Sequence, residues 1–126
     1  MRRLVATAIA LAGIAGAAVP ARADGVMVMT ASAYQYLPGD DGLDAPLAIE
    51  QGTTLYFFNA DTSGWHTVTG EPSPTGASWF DTPDQVGFGS YAEVVGVDRL
   101  EPGTYRFYCT PHYPDMQGTL VVQAHS

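Results

Sequence analysis

Apolar and polar positions alternate along most of this chain in short runs, broken by glycine and proline. Residues 26–29 (VMVM), 47–50 (LAIE), 54–58 (TLYFF), 66–69 (HTVT), 91–97, 104–109 and 119–122 are rich in β-branched and aromatic residues, and each reads as a strand. Between them lie turn signals: Pro38-Gly39-Asp40-Asp41-Gly42, Gln51-Gly52, and a loop over residues 71–78 holding Pro72, Pro74 and Gly76. No segment carries a sustained 3.6-residue apolar period with caps, although residues 81–89 leave room for a short helical turn. About seven or eight short strands in one small domain predict an all-β Greek-key sandwich.

The period of two fixes side-chain direction in residues 104–109. Tyr105, Phe107 and Cys109 share one face; Thr104, Arg106 and Tyr108 share the other, with Arg106 toward solvent. Cys109 therefore points inward at the end of its strand. Tyr105 is placed to return its hydroxyl to the preceding loop as a tyrosine corner.

Composition changes the picture at the N-terminus. Arg2 and Arg3 precede an apolar run over residues 4–19, then Pro20 and Ala21-Arg22-Ala23. That is the layout of a secretory signal peptide over residues 1–23. The run falls short of the roughly 20 apolar residues of a spanning helix, and nothing later could span. A retained anchor is the alternative. The two arginines do not settle which export route applies. Residues 24–126 then form a single exported domain, periplasmic or extracellular, with no transmembrane segment.

Only Arg99 and Arg106 remain as cations in that domain, against thirteen acids, a formal charge of −11. Nucleic acid is excluded as a partner for such a surface. A basic docking surface on a partner protein suits it through electrostatic steering; plain solubility or adaptation to salt accounts for it equally. The chain is read as a monomer. Its single cysteine, Cys109, cannot form an internal disulfide. It is buried and inert, paired with another chain, or bound to a metal.

The neighbours of Cys109 favour the metal. His112 follows three residues later and Met116 four after that, in a loop stiffened by Pro111 and Pro114. Cysteine, two histidines and a weak axial methionine make a blue-copper donor set. The second histidine must come from elsewhere. His125 lies next to last in the tail, where chains fray. His66 begins a strand after the turn-rich stretch 59–65, whose loop can meet the Cys109 loop at one end of a sandwich. Met27 and Met29 alternate along a strand and read as packing residues.

The segment GTYRFYCTPH closely resembles the copper-ligand segment of the cupredoxins, the type 1 blue copper proteins such as plastocyanin, amicyanin and pseudoazurin. The asparagine of stretch 59–65 and its closing His66-Thr67-Val68 are similar to the first-histidine loop of that family. The resemblance implies a cupredoxin β-sandwich binding one copper through His66, Cys109, His112 and axial Met116. It implies an electron carrier, not an enzyme, serving redox partner proteins. It further implies that the Thr67 N–H bonds the cysteine sulfur, that Asn59 ties the loop, and that His112 is the electron port, ringed by Pro111, Tyr113 and Pro114. Trp65 flanks the first histidine as a partner contact or as an apolar rim. Three residues separate His112 from Met116, a gap intermediate between those of amicyanin and plastocyanin. Asp115 lies in it, and its charge is expected to favour Cu(II).

Two rival functions carry different signatures. A multicopper oxidase bridges its sites with a His-Cys-His triplet, whereas Tyr108 and Thr110 flank Cys109. Periplasmic copper storage or delivery is the alternative reading, although it calls for Met- or His-rich exchangeable sites that this sequence lacks.

Overall fold

A computed structural model describes residues 25–125 of the chain. The signal-peptide assignment to residues 1–23 lies outside them. Eight strands follow in order: β1 (Val26–Ser32), β2 (Gln35–Leu37), β3 (Leu47–Glu50), β4 (Thr54–Asn59), β5 (Thr69–Gly70), β6 (Tyr91–Glu93), β7 (Gly103–Tyr108) and β8 (Gln117–Gln123). They form two four-stranded sheets, ordered β2-β1-β4-β6 and β3-β8-β7-β5. Each sheet mixes directions: β1 runs parallel to β4 and β3 parallel to β8, while the other pairs are antiparallel. The all-β sandwich read from the sequence is the fold observed.

Inward positions follow the period of two. Met29, Ala31, Leu55, Phe57, Phe107, Leu120 and Val122 are buried and meet in one core between the sheets. Met27 packs against that core, so both N-terminal methionines serve packing. Tyr36, fully buried, stands edge-on to Phe57 and Phe107, with ring centroids 6.1 and 4.8 Å away, and so touches both sheets. Its hydroxyl has a partner as well, donating to the Thr67 carbonyl at 2.6 Å. Tyr105 makes the expected corner, its hydroxyl donating to the Glu101 carbonyl at 2.6 Å.

Local structure departs from the sequence reading at four points: β2 was not expected, the 91–97 run is a strand only over Tyr91–Glu93, and two further departures share a cause. Residues 66–69 are not a continuous strand. His66 makes an isolated bridge to Val86, and regular pairing begins only at Thr69. No helical turn forms in 81–89, where Asp81 bridges to Thr69 and Val95 and Val86 pairs with His66. Short 3₁₀ turns occur instead at Asp41–Leu43, Val97–Arg99 and Thr110–His112. The cause is common to both. Residues 81–86 find backbone partners on other segments, and a helix would have to bond internally.

Gly118 marks where the sandwich closes most tightly. A methyl group there would overlap the Gly39 carbonyl and the Phe107 ring, and that same carbonyl accepts the Thr119 N–H at 2.9 Å. Gly118→Ala is expected to cost roughly 1–3 kcal/mol of unfolding free energy by overpacking, measured by urea denaturation. Tyr105→Phe, which removes only the corner bond, should cost about 1 kcal/mol.

Candidate metal centre

Three loops converge at one end of the sandwich. Cys109 follows directly on β7 and caps the 110–112 helical turn, and parity sends its side chain inward, fully buried. Pro111 sits within that turn, and the His112 N–H bonds back to the Cys109 carbonyl at 3.1 Å. The result is an imidazole folded over the sulfur, with His112 Nδ1 3.2 Å from Sγ. Met116 is fully buried behind them. Its carbonyl accepts the Cys109 N–H at 3.0 Å and its own N–H donates to His112 at 3.2 Å. The intermediate-length loop therefore closes on itself through backbone bonds.

His66 arrives from the loop between β4 and β5. It is fully buried, and its N–H and carbonyl both pair with Val86, at 3.2 and 2.8 Å. Its Nδ1 lies 3.6 Å from Cys109 Sγ. One donor atom each from His66, Cys109 and His112 falls within 4.8 Å of the others. His125 is not part of this group. The structure thus brings His66, the histidine named from the sequence, beside Cys109 and His112.

Thr67 staples the two loops together. Its N–H donates to Cys109 Sγ at 3.3 Å, and its Oγ1 accepts the Thr110 N–H at 3.0 Å. Its carbonyl takes the Tyr36 hydroxyl. Asn59 ties the histidine loop as expected. Its side-chain amide donates to the Gly64 and Val86 carbonyls at 2.9 and 2.8 Å, and its Oδ1 accepts the Asp61 N–H at 2.8 Å.

Asp61 is one residue of the site that sequence reasoning missed. It is buried, and its Oδ2 lies 2.9 Å from His66 Nε2. The Ser63 hydroxyl and N–H donate to Oδ1 at 2.6 and 2.9 Å, and the Tyr34 N–H donates to Oδ2 at 3.1 Å. These donors, Ser63 first and His66 after, hold the carboxyl well below the usual carboxylate range against its own burial. An ionised Asp61 makes Nε2 the protonated nitrogen of His66 and leaves Nδ1 with its lone pair toward the sulfur. The local signal was present, since Asn59 and Asp61 each bond the N–H two residues on, as Asx turns do. The contact to His66 had none.

Tyr34 was also missed. Its ring stands edge-on to both imidazoles, with centroids 5.6 Å from His66 and 4.7 Å from His112. It walls the cluster on the side facing the β1–β2 turn. Asp115, expected to act on the site by its charge, is exposed, and water screens it.

The donor set suits a soft or borderline metal. Burial pushes the Cys109 thiol up, while hydrogen bonds from Thr67 and the backbone at His112 act the other way. Partial burial and the nearby His66 draw the pKa of His112 down, which favours the neutral imidazole that a metal needs. A coordinated thiol loses its proton outright. Two imidazole nitrogens facing one thiolate at these separations fit copper.

Comparisons with known proteins agree with this chemistry. Residues 44–123 match the family model described as copper binding proteins of the plastocyanin/azurin family. A reduced tryptophan-to-tyrosine mutant of amicyanin is 25% identical with a TM-score of 0.61, over 79% of this chain and 84% of that one. The Cu(I) form of a methionine-to-alanine mutant of amicyanin matches to the same degree, 25% identical with a TM-score of 0.61. No curated protein matches the chain in sequence. With more than half of its length matched and a copper-suited donor set at the end of its sandwich, the chain belongs to the copper-binding plastocyanin/azurin family, the cupredoxins, and its cofactor is copper.

Proposed function

We propose that this protein is an exported carrier of single electrons, with copper held by His66 Nδ1, Cys109 Sγ and His112 Nδ1 and with Met116 as the axial thioether. The observation that carries this reading is the buried, pre-stapled Cys109 between two imidazoles, one of them fixed by Asp61. Copper in such a set supplies a one-electron couple between Cu(I) and Cu(II).

The residues do the rest. Thr67 holds the sulfur by a backbone N–H, which cannot swing away as a side chain could. Val86 holds the His66 backbone, Asn59 donates to that same Val86 carbonyl, and Asp61 holds the His66 ring. Little geometry is left to change with oxidation state, and a small rearrangement makes electron transfer fast. His112 is only partly buried, beside exposed Pro111 and Tyr113. We assign it as the port through which the electron passes. Partner proteins with basic surfaces suit the −11 charge of residues 24–126. Among the described residues no helix is long and apolar enough to cross a membrane. The layout of residues 1–23 supports export.

Storage or delivery of copper is the competing role, and the buried, stapled ligands argue against the rapid exchange it requires. The Cu(II) protein is expected to show an intense thiolate-to-copper absorption in the visible, lost in Cys109→Ser, and slow copper loss to a chelator. A colourless Cu(II) complex sinks the reading, and rapid loss to the chelator moves it to delivery.

The two nearby acids should separate by burial. Asp61→Asn is expected to raise the reduction potential and to weaken copper binding roughly 10–100-fold. Asp115→Asn, exposed to solvent, should move the potential by much less. Voltammetry and chelator competition on the two variants check this, and equal shifts would mean that burial does not set the effect.

A further inference from the structure

A groove of about 630 Å³ runs along the open edge of the first sheet, and no residue of the 110–114 loop lines it. Trp65, Val86, Phe88, Tyr91 and Val95 give it apolar walls, and Asp84 and Glu93 supply its only charges. Trp65, Phe88 and Tyr91 are 60, 61 and 70% exposed, a great deal of aromatic surface to leave in water.

β6 is an edge strand, paired on one side only, with β4. Its register shows which backbone groups are free to bond outward. The Val94 N–H donates to Leu55, and Ser90 accepts from Asn59. The hydrogen-bonded positions facing β4 are therefore 90, 92 and 94. Tyr91 and Glu93 turn their N–H and carbonyl groups the other way, toward the groove. Only at Val95 is the edge covered, by paired bonds to Asp81 at 2.8 and 3.1 Å. No backbone group among the described residues bonds the outward edge at Tyr91 and Glu93.

The opposite wall leads to the metal centre. Trp65 precedes His66 in the chain, and its ring lies against Gly87, where a methyl group would come within 3.1 Å. Val86 bonds the His66 backbone in both directions. A segment seated in the groove thus lies one hydrogen-bonded residue from a buried imidazole, against residues other than His112.

We propose that this groove docks an extended, lysine- or arginine-bearing segment of the redox partner, added to the β6 edge as a further strand. The inference rests on the electron-carrier reading and names how that carrier holds its partner. Unpaired edge groups supply the backbone bonds, and the aromatic walls take the apolar side chains. Asp84 and Glu93, with no cation lining the groove, select the basic ones. A second copy of this chain is the wrong occupant. It would set the same two acids against themselves, in a domain of formal charge −11 with two cations.

The test uses the Cu(I) protein and a lysine-rich, oxidised cytochrome c as probe, mixed in stopped flow at low ionic strength. The pair Asp84→Lys and Glu93→Lys is expected to slow the second-order rate about ten-fold or more and to flatten its salt dependence. A control pair outside the groove, Glu71→Lys and Glu101→Lys, changes net charge equally and should slow it by less than about two-fold. With reduced cytochrome c, amide shifts in the Cu(I) protein should centre on residues 86–93. Equal slowing in both pairs, slowing in neither, shifts confined to residues 111–114, or a dimer in sedimentation would each overturn the proposal. The visible absorption and reversible potential of every variant are read alongside. Their loss in the parent protein would sink the electron-carrier reading, whereas intact copper with unaltered rates sinks the docking groove alone.

Discussion

The Thr67 N–H to Cys109 Sγ bond is the constraint on which the rest of the site depends. A sulfur at the end of a strand has no fixed position by itself, because its χ1 rotamer can swing. Here a peptide N–H from a different loop meets it, and that peptide cannot rotate. Thr67 is held at three points, through its N–H, its hydroxyl and its carbonyl. Two loops some forty residues apart in sequence thereby become one rigid unit before any metal is considered. The cost of ordering them falls on folding, which leaves metal binding and electron transfer with little to rearrange.

That rigidity reaches the core through Tyr36. Its hydroxyl bonds Thr67, and its ring stands between Phe57 of one sheet and Phe107 of the other. Phe107 in turn shares a strand face with Cys109, two residues on, and fills the space that Gly118 leaves open. Core packing and ligand geometry are therefore not separable here. A change of one methylene beneath the site is felt at the sulfur, because close-packed interiors transmit strain.

Much of this was legible in the sequence, and the reason is locality. Strand parity alone aimed Cys109 inward, and the stiff TPHYP loop placed His112 near it. Tail position removed His125, and the second histidine followed. The β-sandwich was legible from short alternating runs. Asp61, Tyr34 and Tyr36 were not. Each acts across 5 to 32 residues of chain, through a contact that exists only after the loops have met. Residues 66–69 were misread for the same reason. Their β-branched pattern is strand-like, but His66 takes its backbone partner from Val86, and that pairing interrupts the regular strand.

Asp61 and Asp115 show why position outranks proximity in sequence. Asp115 stands three residues from His112, yet its carboxylate lies in water, where a Debye length of about 8 Å at physiological salt and a high dielectric dull its field. Asp61 stands five residues from His66 but is buried against it at 2.9 Å. Burial alone would favour the neutral acid. The donors from Ser63, His66 and Tyr34 overcome that penalty and keep the charge. An anion held in a dry place beside one imidazole makes that ring a better donor to a cation, and the effect grows with the charge on the metal. The oxidised state gains more than the reduced one. The fold thus sets the electrostatics of His66 with an enclosed carboxylate, and the many exposed acids are left free to act on what approaches from outside.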